Sequence, residues 1–145
     1  MRVVVGADEA LPVAHDVVAA LDSLGITCDV VGPLAGSDIE WAEIATMVAR
    51  RVADGEAAWG VALCWSGTGV AIAANKVPGA RAALCTDAET ARLARKYNHA
   101  NVLALSMRLT SGPVADEIVR AFASEPFGTE DFDVRNVAVV DGLLT

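Results

Sequence analysis

Five short apolar runs, each followed by a longer stretch of helical period, constrain this chain more than any other feature. Residues 2–6 (RVVVG), 26–31, 59–64 (WGVALC), 81–85 and 101–105 (NVLAL) read as buried strands. Residues 10–24 carry Val13, Val17, Val18 and Leu21 on one helical face and stop at Gly25. Ser37 and Glu40 have capping-box spacing, opening a helix through about residue 53. A small-residue helix over 70–76 follows the third run, and Val77-Pro78-Gly79 ends it. Thr86 with Glu89 is a second candidate capping box, for a helix over 86–97. Ser111-Gly112-Pro113 starts the last clear helix, over 111–124.

This alternation predicts an α/β chain with a five-stranded parallel sheet between two helical layers, a three-layer α/β/α, Rossmann-like arrangement. Ligands of such sheets bind beyond the carboxyl ends of the strands. That rule gathers Asp8, the turn after Cys64, Thr86 and residues 106–108 at one rim. The sequence shows no repeat, low-complexity segment or linker, so residues 1–145 read as one domain. Its last part, about 126–145, reads as an arm with mixed signals: Pro126, Gly128, the acids Glu125, Glu130, Asp131 and Asp133 as a solvated cluster, then an apolar stretch over 137–140.

Charge and cysteine usage narrow the partners. The chain carries 11 basic and 19 acidic side chains, a net −8, which argues against nucleic acid or an anionic membrane surface. No apolar run approaches the roughly 20 residues of a spanning helix. The apolar start is cut short by Gly6, Ala7, Asp8 and Glu9, too soon for a signal peptide. Cys28, Cys64 and Cys85 have neither disulfide-framework nor zinc-site spacing. A reducing, cytoplasmic compartment is the simplest expectation.

The strongest local motif is Cys64-Trp65-Ser66-Gly67-Thr68-Gly69, at a strand end and opening a helix. Glycines there let backbone N–H groups converge on an anion, a phosphate or a developing enediolate. A thiol at such a helix end can become a base or nucleophile. The plain alternative is a tight packing turn beside an inert buried cysteine. The motif is neither a phosphate loop of the Gly-Lys-Ser/Thr kind nor a dinucleotide fingerprint.

Residues 64–85, CWSGTGVAIAANKVPGARAALC, resemble the type B ribose-5-phosphate isomerases and the galactose-6-phosphate isomerase subunits. Gly6-Ala7-Asp8, residues 73–79 (AANKVPG), 91–95 (ARLAR), Asn98, residues 100–104 and Arg108 extend the likeness. The resemblance implies a Rossmann-like fold and aldose–ketose isomerisation through a cis-enediolate, with no metal and no organic cofactor. It implies Cys64 as the proton-transfer base and Gly67, Thr68 and Gly69 as the oxyanion loop. Ser66 falls near the ring-opening chemistry, Asp8 and Asn98 on residues that bind sugar hydroxyls, and Arg108 on a phosphate contact. It also implies a homodimer with shared sites, possibly a tetramer, acting on a small sugar or sugar phosphate.

The departures from the family pattern concern substrate contacts. Glu9 and Tyr97 stand where the family has histidines, the second of which opens the sugar ring. Trp41 replaces a tyrosine, and Trp65 replaces a glycine. Of two arm arginines four residues apart, only Arg135 remains, with Asp131 in the other's place. An acid in place of a cation costs roughly a few kcal/mol if phosphate sits there. An atypical substrate follows: an unphosphorylated sugar, a short-chain sugar phosphate, or a phosphate held differently. Trp65 either walls the pocket, stacks on a sugar face, or packs on a partner subunit. His99 is either a stand-in for the missing ring-opening histidine or a loop residue. His15 reads as a helix-surface residue. The competing reading of the whole chain is a non-catalytic partner subunit or sugar-binding protein of the same family.

Overall fold

The apolar runs become β1 (Arg2–Ala7), β2 (Thr27–Val31), β3 (Trp59–Cys64), β4 (Ala82–Leu84) and β5 (Val102–Ser106). The computed structural model describes residues 1–144; Thr145, the last residue of the expected arm, lies outside the described residues. All pairings are parallel, in the order β2-β1-β3-β5-β4. Every residue of β3 is buried, because this central strand is covered on both faces.

Strand alternation divides the interior into two cores. Val3, Val5, Trp59, Val61, Leu63, Leu103 and Leu105 pack with α1 (Pro12–Ser23), α4 (Ala88–Asn98) and α5 (Gly112–Ser124). Val4, Ala62, Cys64, Val102 and Ala104 pack with α2 (Trp41–Ala53) and α3 (Thr68–Ala74). This second face is built of small residues because α2 lies close to it. A Cβ on Gly60 would stand 2.5 Å from Val48 Cγ1. On the other face Trp59 tilts against Phe122, ring centroids 5.1 Å apart. Each fully buried Leu, Ile or Phe contributes about 1.5–3 kcal/mol, and all of them but Ile44 lie in the first layer.

Three local expectations are corrected. Helix α1 starts at Pro12 rather than residue 10, its ring preset for the first helical position. Ser37 caps nothing: a 3₁₀ turn (Gly32–Ala35) closed by left-handed Gly36 lengthens the connection, and α2 starts after Glu40 without a side-chain cap. The cap of α4 is Asp87, not Thr86. Its carboxylate accepts the Thr90 N–H at 2.7 Å, which pulls the group below the usual carboxylate range.

The arm contains a sixth helix, α6 (Asp131–Gly142). Its acids are not all solvated, as expected from sequence. Asp133 is only 6% exposed, turned against the bend at Gly128. A clasp fastens the arm to α4. The Gly128 N–H donates to the Lys96 carbonyl at 2.8 Å, and the His99 ring Nε2 bonds the Gly128 carbonyl at 2.8 Å. Phe127 stacks on His99 at 4.6 Å, and the Arg95 guanidinium lies 4.3 Å from the Phe127 ring centre. At the far end, Arg81 pairs with Asp141 at 2.9 Å.

Candidate active site

The sheet register assembles the rim. Ala7 lies opposite Leu63, and Cys64 opposite Ser106. Asp8, one residue past β1, therefore sits beside Cys64, and its N–H donates to the Leu63 carbonyl at 3.3 Å. Cys64 is buried with its side chain on the α3 side of the sheet. The Asp8 carboxyl is half-buried, and its Oδ1 is enclosed without any hydrogen-bond partner. Burial raises its pKa above the ordinary carboxylate value; the nearby Glu9 carboxylate adds to this, and backbone N–H groups partly oppose it. An unpartnered buried acceptor of this kind costs stability.

The turn after Cys64 is fixed by its glycines. Gly67 has φ +76°, and a Cβ there would meet the Leu105 carbonyl carbon and the Ser106 nitrogen at 2.9 Å. The turn thus lies flat against the end of β5. The amides at the start of α3 precede the helix's first internal bond, Ala71 N–H to the Gly67 carbonyl. Ser66 and Thr68 share a hydroxyl–hydroxyl bond of 2.6 Å. Gly69 leaves room for Trp41, whose ring would stand 2.9 Å from a Cβ at that position.

Ser106, which no sequence motif singled out for this task, pins the rim. Its hydroxyl donates to the Trp65 carbonyl at 3.0 Å and accepts the Leu109 N–H. The Arg108 N–H donates to the same carbonyl at 3.0 Å, and the Met107 N–H to the Cys64 carbonyl at 2.9 Å. Cys64, Trp65 and Arg108 consequently occupy adjoining backbone positions. The indole of Trp65 is 58% exposed and that of Trp41 45% exposed. Glu9 and the Arg108 side chain also face solvent.

Tyr97, Asn98, His99 and Arg135 are elsewhere. Helix α4 returns to the amino end of β5, so residues 97–99 lie at the opposite rim, roughly 16 Å of strand from Cys64. Tyr97 and Asn98 line a groove of about 740 Å³ with Phe132, Asp133 and Asn136 of α6, the helix that carries exposed Arg135. His99 lies away from the Cys64 rim of its own chain. It ends α4 in the left-handed conformation, φ 50°, with its ring held in the arm clasp. His15 is exposed on α1 beside a cleft over the β2 edge, away from β3.

Two asparagines of the sequence motifs prove to be braces. Asn75 accepts the Ala82 N–H at 2.8 Å and donates to the Ala82 carbonyl at 2.9 Å, acting as a strand partner for β4. Asn101 accepts the Arg81 N–H and donates to the Gly79 carbonyl. Both hold the connection from α3 to β4.

A buried thiol, a carboxylate with one unpartnered oxygen and a glycine turn that opens a helix thus meet at the carboxyl rim of a parallel sheet, where such folds bind small ligands. The comparisons give this arrangement its class. The family model for Ribose/Galactose Isomerase matches residues 3–140. Ribose-5-phosphate isomerase B of Escherichia coli K12 is 36% identical over 108 residues, 74% of this chain and 72% of that protein. D-erythrulose-4-phosphate isomerase of Pectobacterium atrosepticum is 34% identical over 129 residues, 88% of this chain and 85% of that protein. The solved structure of Trypanosoma brucei type B ribose 5-phosphate isomerase superposes with a TM-score of 0.91 at 38% identity, covering 97% of each chain. The chain belongs to the ribose/galactose isomerase family. It is an intramolecular oxidoreductase, an aldose–ketose isomerase. Among the described residues, no helix is long and apolar enough to cross a membrane.

Proposed function

We propose that the chain interconverts an aldose phosphate and its ketose by proton transfer at Cys64. The thiolate removes the C2 proton, and that electron pair forms the C1–C2 double bond while charge moves onto O1. The amides of Gly67, Thr68 and Gly69 meet the developing enediolate. The O2–H proton passes to O1, the proton held on Cys64 returns to C1, and C2 becomes the carbonyl. C1 is reduced and C2 oxidised, so the electrons balance within the sugar and no outside oxidant enters; the proposed step uses neither a metal nor an organic cofactor.

Asp8 accepts from a sugar hydroxyl, Ser66 lies over the reacting end, and Arg108 contacts the phosphate. The observation that carries the reading is the unpartnered Asp8 oxygen on the residue that stands beside Cys64 in the sheet register. Glu9, Trp41 and Trp65 form the wall on that side.

Tyr97, Asn98 and Arg135 complete the pocket only if they come from a second copy, because one chain holds them at the opposite rim. A homodimer with shared sites, a single domain in each chain and a cytoplasmic location complete the proposal. Arg135 with Arg108 would then be the remaining phosphate grip, with Asp131 where a second arm cation is expected. The test is solvent-deuterium incorporation: sugar phosphates incubated with the protein in D₂O should gain deuterium at C1 or C2. No incorporation with any sugar or sugar phosphate would favour the non-catalytic partner reading.

A further inference from the structure

Resting on the isomerase reading, we infer that the substrate is a sugar phosphate unable to close a ring, a four-carbon aldose–ketose pair with phosphate on O4. The inference starts from what ring opening demands. A pentose 5-phosphate closes a five-membered ring through its free O4, and an isomerase must open that ring before C2 can lose its proton. Opening requires an acid and a base at the anomeric and ring oxygens, a task suited to an imidazole near neutral pH.

This chain has two histidines, and neither is free for the task. His15 lies on α1 beside the β2 edge, with β1 between it and the Cys64 strand. His99 is locked in the arm clasp, stacked on Phe127 with an interplanar angle of 3° and bonded to the Gly128 carbonyl. That clasp is internal to each chain, so a second copy would supply no free imidazole either. Position 97 offers an exposed phenol.

A tetrose 4-phosphate has no ring to open. Its O4 is esterified, and the remaining hydroxyls could close only strained small rings. The substrate is therefore presented open-chained, and a site with Cys64, Asp8 and the amide turn but no ring-opening histidine is sufficient for it.

Chain length agrees. The Trp65 carbonyl is held by both Ser106 and Arg108, so the backbone that carries this exposed indole is fixed beside Cys64 and Arg108. An indole folded over the rim from that backbone would shorten the span between the carbon that loses its proton and the cation that takes the phosphate. The site then accommodates a chain one carbon shorter than a pentose. Misfit by one carbon typically costs roughly 10–200-fold in kcat/KM.

The experiment compares kcat/KM for erythrose 4-phosphate and ribose 5-phosphate on the wild-type protein, both read by deuterium incorporation in D₂O. The expected result is a preference of at least about tenfold for the four-carbon substrate. Tyr97→His, an exposed replacement, and Trp65→Gly should each narrow that ratio. Equal or better turnover of ribose 5-phosphate by the wild type would overturn the inference and leave the isomerase reading in place. A ratio moved by neither variant would overturn the residue assignments. No incorporation from any sugar phosphate would overturn both the inference and the reading beneath it.

Discussion

Gly67 rests against the peptide joining Leu105 to Ser106, so close that a Cβ would stand 2.9 Å from the Ser106 nitrogen. The turn that follows Cys64 is thereby seated on the strand whose Ser106 pins Trp65. Gly67→Ala meets two obstacles: a left-handed backbone worth about 1–2 kcal/mol for a residue with a Cβ, and a backbone neighbour that cannot rotate away. The expected outcome is a lower Tm and at least about a tenfold loss of kcat/KM, since amides displaced by a fraction of an ångström lose their aim. Thermal melting and deuterium exchange on the same preparation check both.

Asp8 predicts a stability–activity conflict. Its pKa is raised by burial, so the ionised carboxylate is disfavoured in the folded state. Below the ordinary value of 3.8 both states are protonated and no penalty arises. As pH rises past that value the unfolded chain ionises first, and the fold loses stability until the folded-state value is passed. Asp8→Asn should therefore melt higher than wild type at pH 7, and the gain should shrink towards pH 3. The same variant should raise KM by about tenfold or more, the worth of a charge-assisted hydrogen bond to a substrate hydroxyl. Melting curves at several pH values, beside steady-state kinetics, separate the two effects.

The opposite-rim placement of Asn98 predicts complementation between chains. Cys64→Ala and Asn98→Ala chains should each be nearly inactive alone. Refolded together in equal amounts, half the dimers are mixed and one of their two sites is intact. Recovery of about a quarter of wild-type activity is expected for a closed twofold dimer. No recovery would place the whole site within one chain.

The arm clasp should be separable from catalysis by its stability signature. Phe127→Ala removes the His99 stack and the Arg95 contact, worth together roughly 1–3 kcal/mol. It also leaves His99 strained at φ 50° without its ring partner. Earlier hydrogen exchange and faster proteolysis across α6 are expected, with the sheet unaffected.

The sheet was legible because its three central strands are buried on both faces and read as unbroken apolar runs, WGVALC above all. The arm helix was not legible, because α6 has no apolar stripe facing its own chain. Phe132, Val134, Val139, Val140 and Leu143 are exposed, and only Asp133 is buried. Periodicity needs a core to answer to, and here one chain does not provide it. Cap positions slipped by one residue at Asp87 because Thr86 and Asp87 both offer an acceptor oxygen and sequence alone does not choose between them. The rim followed from topology: strands that end in register bring Asp8, Cys64 and Ser106 together. The distance of Asn98 from Cys64, and the use of the His99 ring by Gly128 and Phe127, required the path of α4 and the fold of the arm. Neither leaves a periodic mark. Asn75 and Asn101 stood out in sequence as family-like residues, and only their paired bonds to the β4 connection show that they are braces.

The most direct test of the central claim is the rate of deuterium incorporation from D₂O by wild type and by Cys64→Ala. A sugar phosphate that wild type turns over serves as substrate, and circular dichroism confirms that both proteins are folded. Loss of a general base typically costs about 10²–10⁴-fold. The account predicts exchange at C1 or C2 in wild type and a loss of that size in the variant. Exchange persisting in Cys64→Ala within a few-fold of wild type would contradict it and remove Cys64 as the proton-transfer base.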